Sequence, residues 1–188
     1  MGEAPRVELR PVAATDRERL RGWRNQPDIR RWMYTDHEIS EAEHARWFEA
    51  VTAEPRPRHW IVEADGEPIG LVNLYDLQPG HRRAAWAYYI ADPSVRGKGV
   101  GACVEYLTLQ RAFGEFGLNR LTCDVLADNE AVIALHESFG FRREALFRQH
   151  VIKAGRPTDV VGLALLAEEW ASHRDTCRQR LIARGYAL

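Results

Sequence analysis

Residues 92 to 101 read Asp-Pro-Ser-Val-Arg-Gly-Lys-Gly-Val-Gly, with glycine at 97, 99 and 101. Glycine has no Cβ, so successive backbone N–H groups can close around an anion. A helix predicted to begin here adds unpaired N–H groups and the positive end of its dipole. Arg96 and Lys98 bring charge to the same turn. Together these features describe a pyrophosphate cradle, while glycine content alone also suits a flexible turn with a solvated basic pair. Two nucleotide signatures are absent: GxxxxGK[ST], and GxGxxG after a strand with an acidic residue about 20 positions on. The motifs therefore point away from a nucleoside triphosphate or a nicotinamide cofactor.

A second pair of candidates lies on one predicted helix. Asn129 and His136 are seven residues apart, close to two turns, so they share a face about 10 Å apart. Asn129 sits where an N-cap belongs. Histidine can serve as a general acid, with an imidazolium pKa near 6.5. An unperturbed histidine is only about one quarter protonated at pH 7. A polar side chain with no kinetic role fits the position too.

The third group is aromatic. Of six Trp, three (Trp23, Trp32 and Trp47) fall in the first quarter of the chain. Met33 and Tyr34 add apolar faces, and Arg24, Asn25, Arg30, His37 and His44 are interleaved as donors. Such a mixture suits phosphate, hydroxyl or uracil edges. Some of the aromatics are expected to be core. At least Trp23 or Trp47 is expected to face a cleft.

These residues need a scaffold. Alternation gives a strand over Val7–Arg10. Helices follow over Asp16–Asn25, capped by Thr15 or Asp16, over Pro27 to about Met33, and from a Ser40 capping box to about Val51. Strands His59–Ala64 and Pro68–Tyr75 are joined at Asp65-Gly66, and Ala84–Ala91 is the third of that run. Helix Val100–Phe116 ends near Gly117. Then come strand Arg120–Leu126, helix Asn129–Phe139, a hairpin of Arg142–Lys153 with Pro157–Leu166, and helix Glu168–Arg184. This order fits one α+β domain over residues 1–188 around a mostly antiparallel sheet, not a Rossmann alternation.

Composition sets the outer bounds. With 188 residues and 45% hydrophobic content the chain can build its own core. A net charge of −1 gives no field strong enough to hold nucleic acid by charge alone. No apolar run approaches the ~18 residues of a membrane span, and MGEAPRVELR lacks the apolar core of a signal peptide. Three cysteines without CxxC, and His without HExxH, predict no disulfide framework, no metal site and a cytoplasmic setting.

The turn matches [Arg/Gln]-x-x-Gly-x-[Gly/Ala] through Arg96, Gly99 and Gly101. Asn129-Glu-Ala-Val-Ile-Ala-Leu-His-Glu-Ser-Phe-Gly-Phe141 matches Asn-x-x-Ala-x-x-Leu-Tyr-x-x-x-Gly-Phe, apart from small shifts. In both motifs and in strand order the chain resembles the GNAT acetyltransferase superfamily. The resemblance implies a GNAT fold with a mixed sheet of about seven strands, and acetyl-CoA as donor. It implies that Gly97, Lys98, Gly99, Val100 and Gly101 hold the pyrophosphate. The pantetheine would run along Tyr88-Tyr89-Ile90, where a bulge parts two strands, and meet Asn129. His136 stands where the superfamily usually has a Tyr that protonates the leaving thiolate.

The N-terminal segment narrows the likeness. Arg24-Asn25, Pro27, Trp32-Met33-Tyr34, Ile39-Ser40 and His44 resemble the UDP-4-amino-4,6-dideoxy-N-acetyl-β-L-altrosamine N-acetyltransferases of pseudaminic acid biosynthesis. His150 to Val160 resembles their closing hairpin. By that likeness Arg24, Asn25 and His44 line a UDP-amino-sugar site, and Tyr75 belongs to the same site. Met33, Tyr34, Trp47 and Trp86 hold the sugar methyl, and Trp23 stacks on uracil. Asp76 departs from the family, reversing the charge expected beside a diphosphate. The implied reaction is direct attack of the amine on the thioester, with an N–H near Ile90 polarising the carbonyl. His44 or a water chain is the candidate base, and no acetyl-cysteine intermediate is expected. Alternatives are a polyamine, aminoglycoside or protein N-terminal acceptor, or a non-catalytic acetyl-CoA-binding module. The assembly is a monomer or homodimer.

Overall fold

The computed structural model describes residues 4–188. Seven strands form one sheet in the order β1-β2-β3-β4-β5-β7-β6. They are β1 (Val7–Pro11), β2 (His59–Ala64), β3 (Glu67–Gln78), β4 (Arg83–Ile90), β5 (Arg120–Leu126), β6 (Arg142–Lys153) and β7 (Arg156–Leu166). All neighbouring pairs are antiparallel except β4 with β5. The helices are α1 (Arg17–Asn25), α2 (Pro27–Arg30), α3 (Glu41–Thr52), α4 (Val100–Leu109), α5 (Glu130–Ser138) and α6 (Ala167–Ile182).

Both faces of the central strands are covered, which is why β2 reads as an almost unbroken apolar run. Trp60 and Val62 point into the larger core, with Val104 and Leu109 of α4. Ile61, between them, points the other way into a smaller core with Leu20 of α1, Phe48 of α3 and Leu71 of β3. The smaller core is where the N-terminal helices attach to the sheet.

Several local expectations are corrected. Asp16 does not cap α1. Its carboxylate is fully buried, bonded by Arg10 at 2.7 and 2.8 Å, Arg19 at 3.0 Å and the Ala13 N–H at 2.9 Å. Ser40 accepts from the Glu43 N–H at 3.2 Å, but the return half of the box is replaced by Glu43 pairing with His37 at 3.1 Å. Helix α2 ends at Arg30, three residues short of the expected end. The long helix after the glycine turn is regular only to Leu109. It then widens over Gln110–Glu115, where the Phe116 N–H reaches back to the Arg111 carbonyl at 2.9 Å.

One feature of the sheet makes room for chemistry. β4 and β5 pair only through Arg83, Ala84 and Ala85 with Arg120, Leu121 and Thr122. Beyond that they part, and Trp86 to Ile90 has no strand on its β5 side. The expected bulge at Tyr88–Ile90 is not the cause, since the register of β4 with β3 is unbroken from Gly70↔Ile90 to Tyr75↔Ala85. The bulge lies across the sheet at Asp76, whose φ is 46° and whose carboxylate is taken by Arg83 at 3.0 Å. Gly70 allows the close approach of β3 to β4, because a Cβ there would lie 2.2 Å from the Tyr89 carbonyl.

Candidate active site

Where β4 and β5 separate, a cleft of about 520 Å³ opens. Trp86 to Ile90 form one wall, and Cys123 to Leu126 with Asn129, Val132 and His136 form another. The third wall comes from Asp28, Ile29, Arg31 to Tyr34 and Tyr75, and Arg96 also lines the cleft. Alternate N–H groups of an antiparallel strand point to the same side. The Ala91 N–H goes to the Ile69 carbonyl at 2.7 Å, so those of Tyr88 and Ile90 point away from β3, toward the cleft. A carbonyl laid along β4 would meet these donors.

The glycine turn adjoins this wall. Gly97 and Gly99 have φ of 76° and 86°, a left-handed backbone that only glycine adopts without strain. Gly99 is the N-cap of α4. Among the described residues the N–H groups of Gly97, Gly99, Val100 and Gly101 have no backbone partner, as a helix start requires. Tyr186 braces the turn by donating to the Lys98 carbonyl at 2.8 Å. Arg96 pairs with Asp28 of α2 at 2.9 Å. Four orphan donors at the start of a ten-residue helix suit a pyrophosphate.

Asn129 occupies the N-cap of α5, but its side chain makes no capping bond there. Its amide remains on the cleft wall. Two turns on, His136 lines the same wall and is almost fully buried. Its ring meets Trp86 edge-on at 5.2 Å and Phe141 at 5.4 Å. Its Nδ1 lies 3.0 Å from Oε1 of Glu105, which projects from α4 and is fully buried. Burial opposes a charge on His136, but the Glu105 carboxylate outweighs it, with Cys123 adding, and the imidazole is raised to about 10. Burial pushes Glu105 up, against the pull of His136. Both shifts keep a proton on the pair at neutral pH, which removes the shortage expected of an unperturbed histidine.

On the acceptor side the structure divides the sequence candidates. Met33, Tyr34, Tyr75 and Trp86 are in the cleft wall. Trp86 is floor, since it is 1% exposed and stacked between Tyr88 and Phe141. Tyr34 and Tyr75 are exposed. Trp23, Arg24, Asn25, His44 and Trp47 are not in the wall. Trp23 packs on the smaller core behind Tyr89. Trp47 lies over His44 at 5.2 Å and against His59 at 5.7 Å. The expectation for the tryptophans is corrected: the N-terminal Trp at the cleft is Trp32, because the chain turns there after α2.

Arg24 and Asn25 do a different job. Arg24 donates to Thr35 Oγ1, and Asn25 makes two bonds with the Ile39 backbone at 2.8 and 3.0 Å. Both tether the segment that carries Met33 and Tyr34. His44 is buried with neither ring nitrogen bonded to a described residue, and burial lowers its pKa. That position, away from the cleft wall, does not suit the base of the reaction. The far end of the segment is latched by the β6–β7 hairpin. Lys153 donates to the carbonyls of Arg30 at 3.3 Å and Met33 at 2.6 Å and pairs with Asp36, whose carboxylate also accepts from the Ala154 N–H at 2.7 Å.

Two site residues were not legible as candidates. Glu105 is one. Asp124 of β5 is the other: it lines the cleft, takes part in no ion pair among the described residues, and is raised by burial. Alternation along β5 puts the Asp124 side chain on the face opposite Cys123 and Val125, where it is exposed. Among the described residues no group of three or more His, Cys, Asp or Glu is placed to hold a metal ion. Among the described residues no helix is long and apolar enough to cross a membrane.

A slot between parted strands, orphan donors at a helix start and a buried histidine paired with a carboxyl on the slot's wall together suit acyl transfer. The chain belongs to the acetyltransferase (GNAT) domain family, which it matches over residues 6–142. It is therefore an N-acetyltransferase with acetyl-CoA as co-substrate. It is 24% identical to the spermidine N(1)-acetyltransferase of Escherichia coli (strain K12) over 182 residues, 97% of each chain. It is 27% identical to acetyltransferase PseH of Campylobacter jejuni over 119 residues, 63% of this chain and 72% of that one. Its fold superposes on a Vibrio cholerae spermidine N-acetyltransferase, solved with CoA and spermine. The TM-score is 0.81 at 23% identity, over 88% of this chain and 98% of that one.

Proposed function

We propose that the acceptor is a single amine carried on a ring with an apolar face, best matched by the 4-amino group of a UDP-linked 4-amino-4,6-dideoxy sugar. The carrying observation is the charge balance of the cleft. Besides His136, whose charge faces the buried Glu105, four charged side chains line it: Asp28, Arg31, Arg96 and Asp124. Asp28 and Arg96 neutralise each other, and Arg31 lies over the Trp32 ring at 4.9 Å. That leaves one carboxylate, Asp124, for one ammonium, with Arg31 suited to a phosphate. Met33, Tyr34 and Tyr75 offer the apolar surface that a deoxy-sugar methyl fills.

In this reading the neutral amine attacks the thioester carbonyl, whose oxygen is held by the Ile90 N–H. A C–N bond forms and the C–S bond breaks. His136 gives its proton to the thiolate, and Asp124 or a water beside it takes one from the amine. Gly97 to Gly101 hold the pyrophosphate, Tyr88 to Ile90 and Asn129 the pantetheine. Most of the acceleration comes from holding amine and thioester together.

The second reading is a polyamine acceptor, and the comparisons favour it over the sugar. The spermidine acetyltransferase likeness spans nearly the whole of both chains, and Asp124 suits any ammonium. An acceptor screen by free-thiol release tests both, using a UDP-4-amino-4,6-dideoxy sugar, spermidine, an aminoglycoside and a short peptide. Turnover of the sugar nucleotide with a kcat/KM at least tenfold above spermidine is expected. Turnover confined to spermidine sinks the sugar assignment and establishes the second reading.

A further inference from the structure

Packing does not explain one buried pair beside the cleft. Glu105 is the only charged residue in α4, and it is fully buried. Taking a carboxyl out of water is costly unless it is paired and fully hydrogen-bonded. Leucine or methionine would fill the same space without that cost. Oε2 of Glu105 has no partner among the described residues, so its one bond is from Oε1 to His136 Nδ1 at 3.0 Å. The chain thus keeps a half-satisfied carboxyl against one nitrogen of a ring that also meets Cys123 and lines the cleft.

We infer that Glu105 is a positioning residue for His136: its carboxyl engages the Nδ1–H, fixes ring and tautomer, and so keeps a second proton on Nε2 at the cleft wall. The inference rests on the acid role given to His136 above. Glu105 is not part of the cleft wall and acts only through the ring. When the C–S bond breaks, its electron pair goes to sulfur, and sulfur takes the Nε2 proton. The remaining proton stays between Nδ1 and Oε1. The proton lost by the amine leaves through Asp124 or water, and exchange with solvent across the cleft restores Nε2.

Glu105 is the main group that holds a charge on this ring, and Cys123 adds to it. Cys123 of β5, Tyr88 of β4 and Cys177 of α6 are the titratable groups facing the pair, and burial pushes all three up, toward their neutral forms. Trp86 and Phe141 close the rest. Second-sphere carboxyls that orient a histidine are worth about 10–100-fold where the ring binds a metal, and a comparable loss is expected here.

The test uses the full chain, native and Glu105→Gln. It follows the His136 ring by ¹⁵N NMR from pH 6 to 9.5 and measures kcat and the acetyl-CoA KM over the same range. The native ring should carry protons on both nitrogens at pH 8. In Glu105→Gln it should be neutral there, with kcat at pH 8 down about 10–100-fold and the alkaline limb shifted down by two pH units or more. Acetyl-CoA KM should change by less than about threefold, since nothing on the cofactor side is touched. A native ring already neutral at pH 8 with a bare Nδ1 overturns the inference without any variant, even if Glu105→Gln fails to fold. An unmoved limb in a folded Glu105→Gln overturns it too. His136→Phe separates the two levels: an unchanged kcat removes the acid role, while the native ring signals still report whether Glu105 fixes the tautomer.

Discussion

The donor wall and the acceptor wall of the cleft are built in opposite ways. The donor wall is backbone: strand β4, the turn at residues 96 to 101 and the start of α4 are continuous in sequence, and in the proposed function their N–H groups do the binding. The acceptor wall is side chains. Trp32, Met33 and Tyr34 sit on a short connection with no ladder of its own. It is held by Arg24 and Asn25 on one flank and by Lys153, more than a hundred residues away, on the other. A wall of the first kind tolerates little change in shape. A wall of the second kind can be refitted to a new acceptor by altering its tethers, which is one physical reason a shared donor site accompanies different acceptors.

The contrast can be broken at several points. His136→Phe should have the largest effect, lowering kcat about 100-fold or more while the KM values of both substrates stay within about threefold. A kcat within a factor of three of native would remove the residue from the chemistry. Gly99→Ala comes next. A left-handed backbone costs a Cβ-bearing residue about 1–2 kcal/mol; the free turn should relax to escape that cost, and restoring the cradle on binding should weaken acetyl-CoA affinity roughly tenfold, with acceptor KM unchanged. Equal weakening of both substrates in titration calorimetry would show that the two walls are not separable. Lys153→Ala should do the converse, raising acceptor KM about three- to tenfold and leaving acetyl-CoA KM alone, by loss of about 1 kcal/mol in hydrogen bonds.

The smallest effect is on stability. His44 is buried beside the acceptor-side helices with its pKa lowered, so the unfolded chain binds its proton more readily than the folded one. Its contribution is complete above the unfolded pKa near 6.5 and is lost as pH falls below it. Melting temperature should therefore drop between pH 7 and 5, and His44→Phe should flatten that drop. Hydrogen exchange at pH 5.5 should show α3 opening before α4. The reverse order would place the acid-sensitive region on the donor side.

What the sequence disclosed follows the same division. The element order, the glycine turn and the Asn129–His136 helix are legible because each is a local pattern that dictates local backbone. Trp23 and Trp47 were misplaced because an aromatic residue carries the same signal whether it fills the smaller core, covers a helix or lines a cleft. Only the end of α2 at Arg30, short of the expected Met33, turns Trp32 toward the cleft. Arg24 and Asn25 look like ligand donors and serve as tethers, since a guanidinium or amide recognises a loop backbone as readily as a sugar. Glu105 did leave a trace, a lone carboxylate in Val100–Leu109. Its partner lies 31 residues on, so spacing could not link the two.

The brief pairing of β4 with β5 bears on the mechanics of the sheet. Three residue pairs join these strands, against seven between β5 and β7. The sheet is in effect two stiff plates joined at one corner. A load pulling the plates apart meets its weakest seam there, beside the slot that a CoA arm would enter. An arm bonded as proposed, to the β4 edge on one side and to α5 on the other, would span that seam, and the donor would then double as a splint for the sheet that binds it.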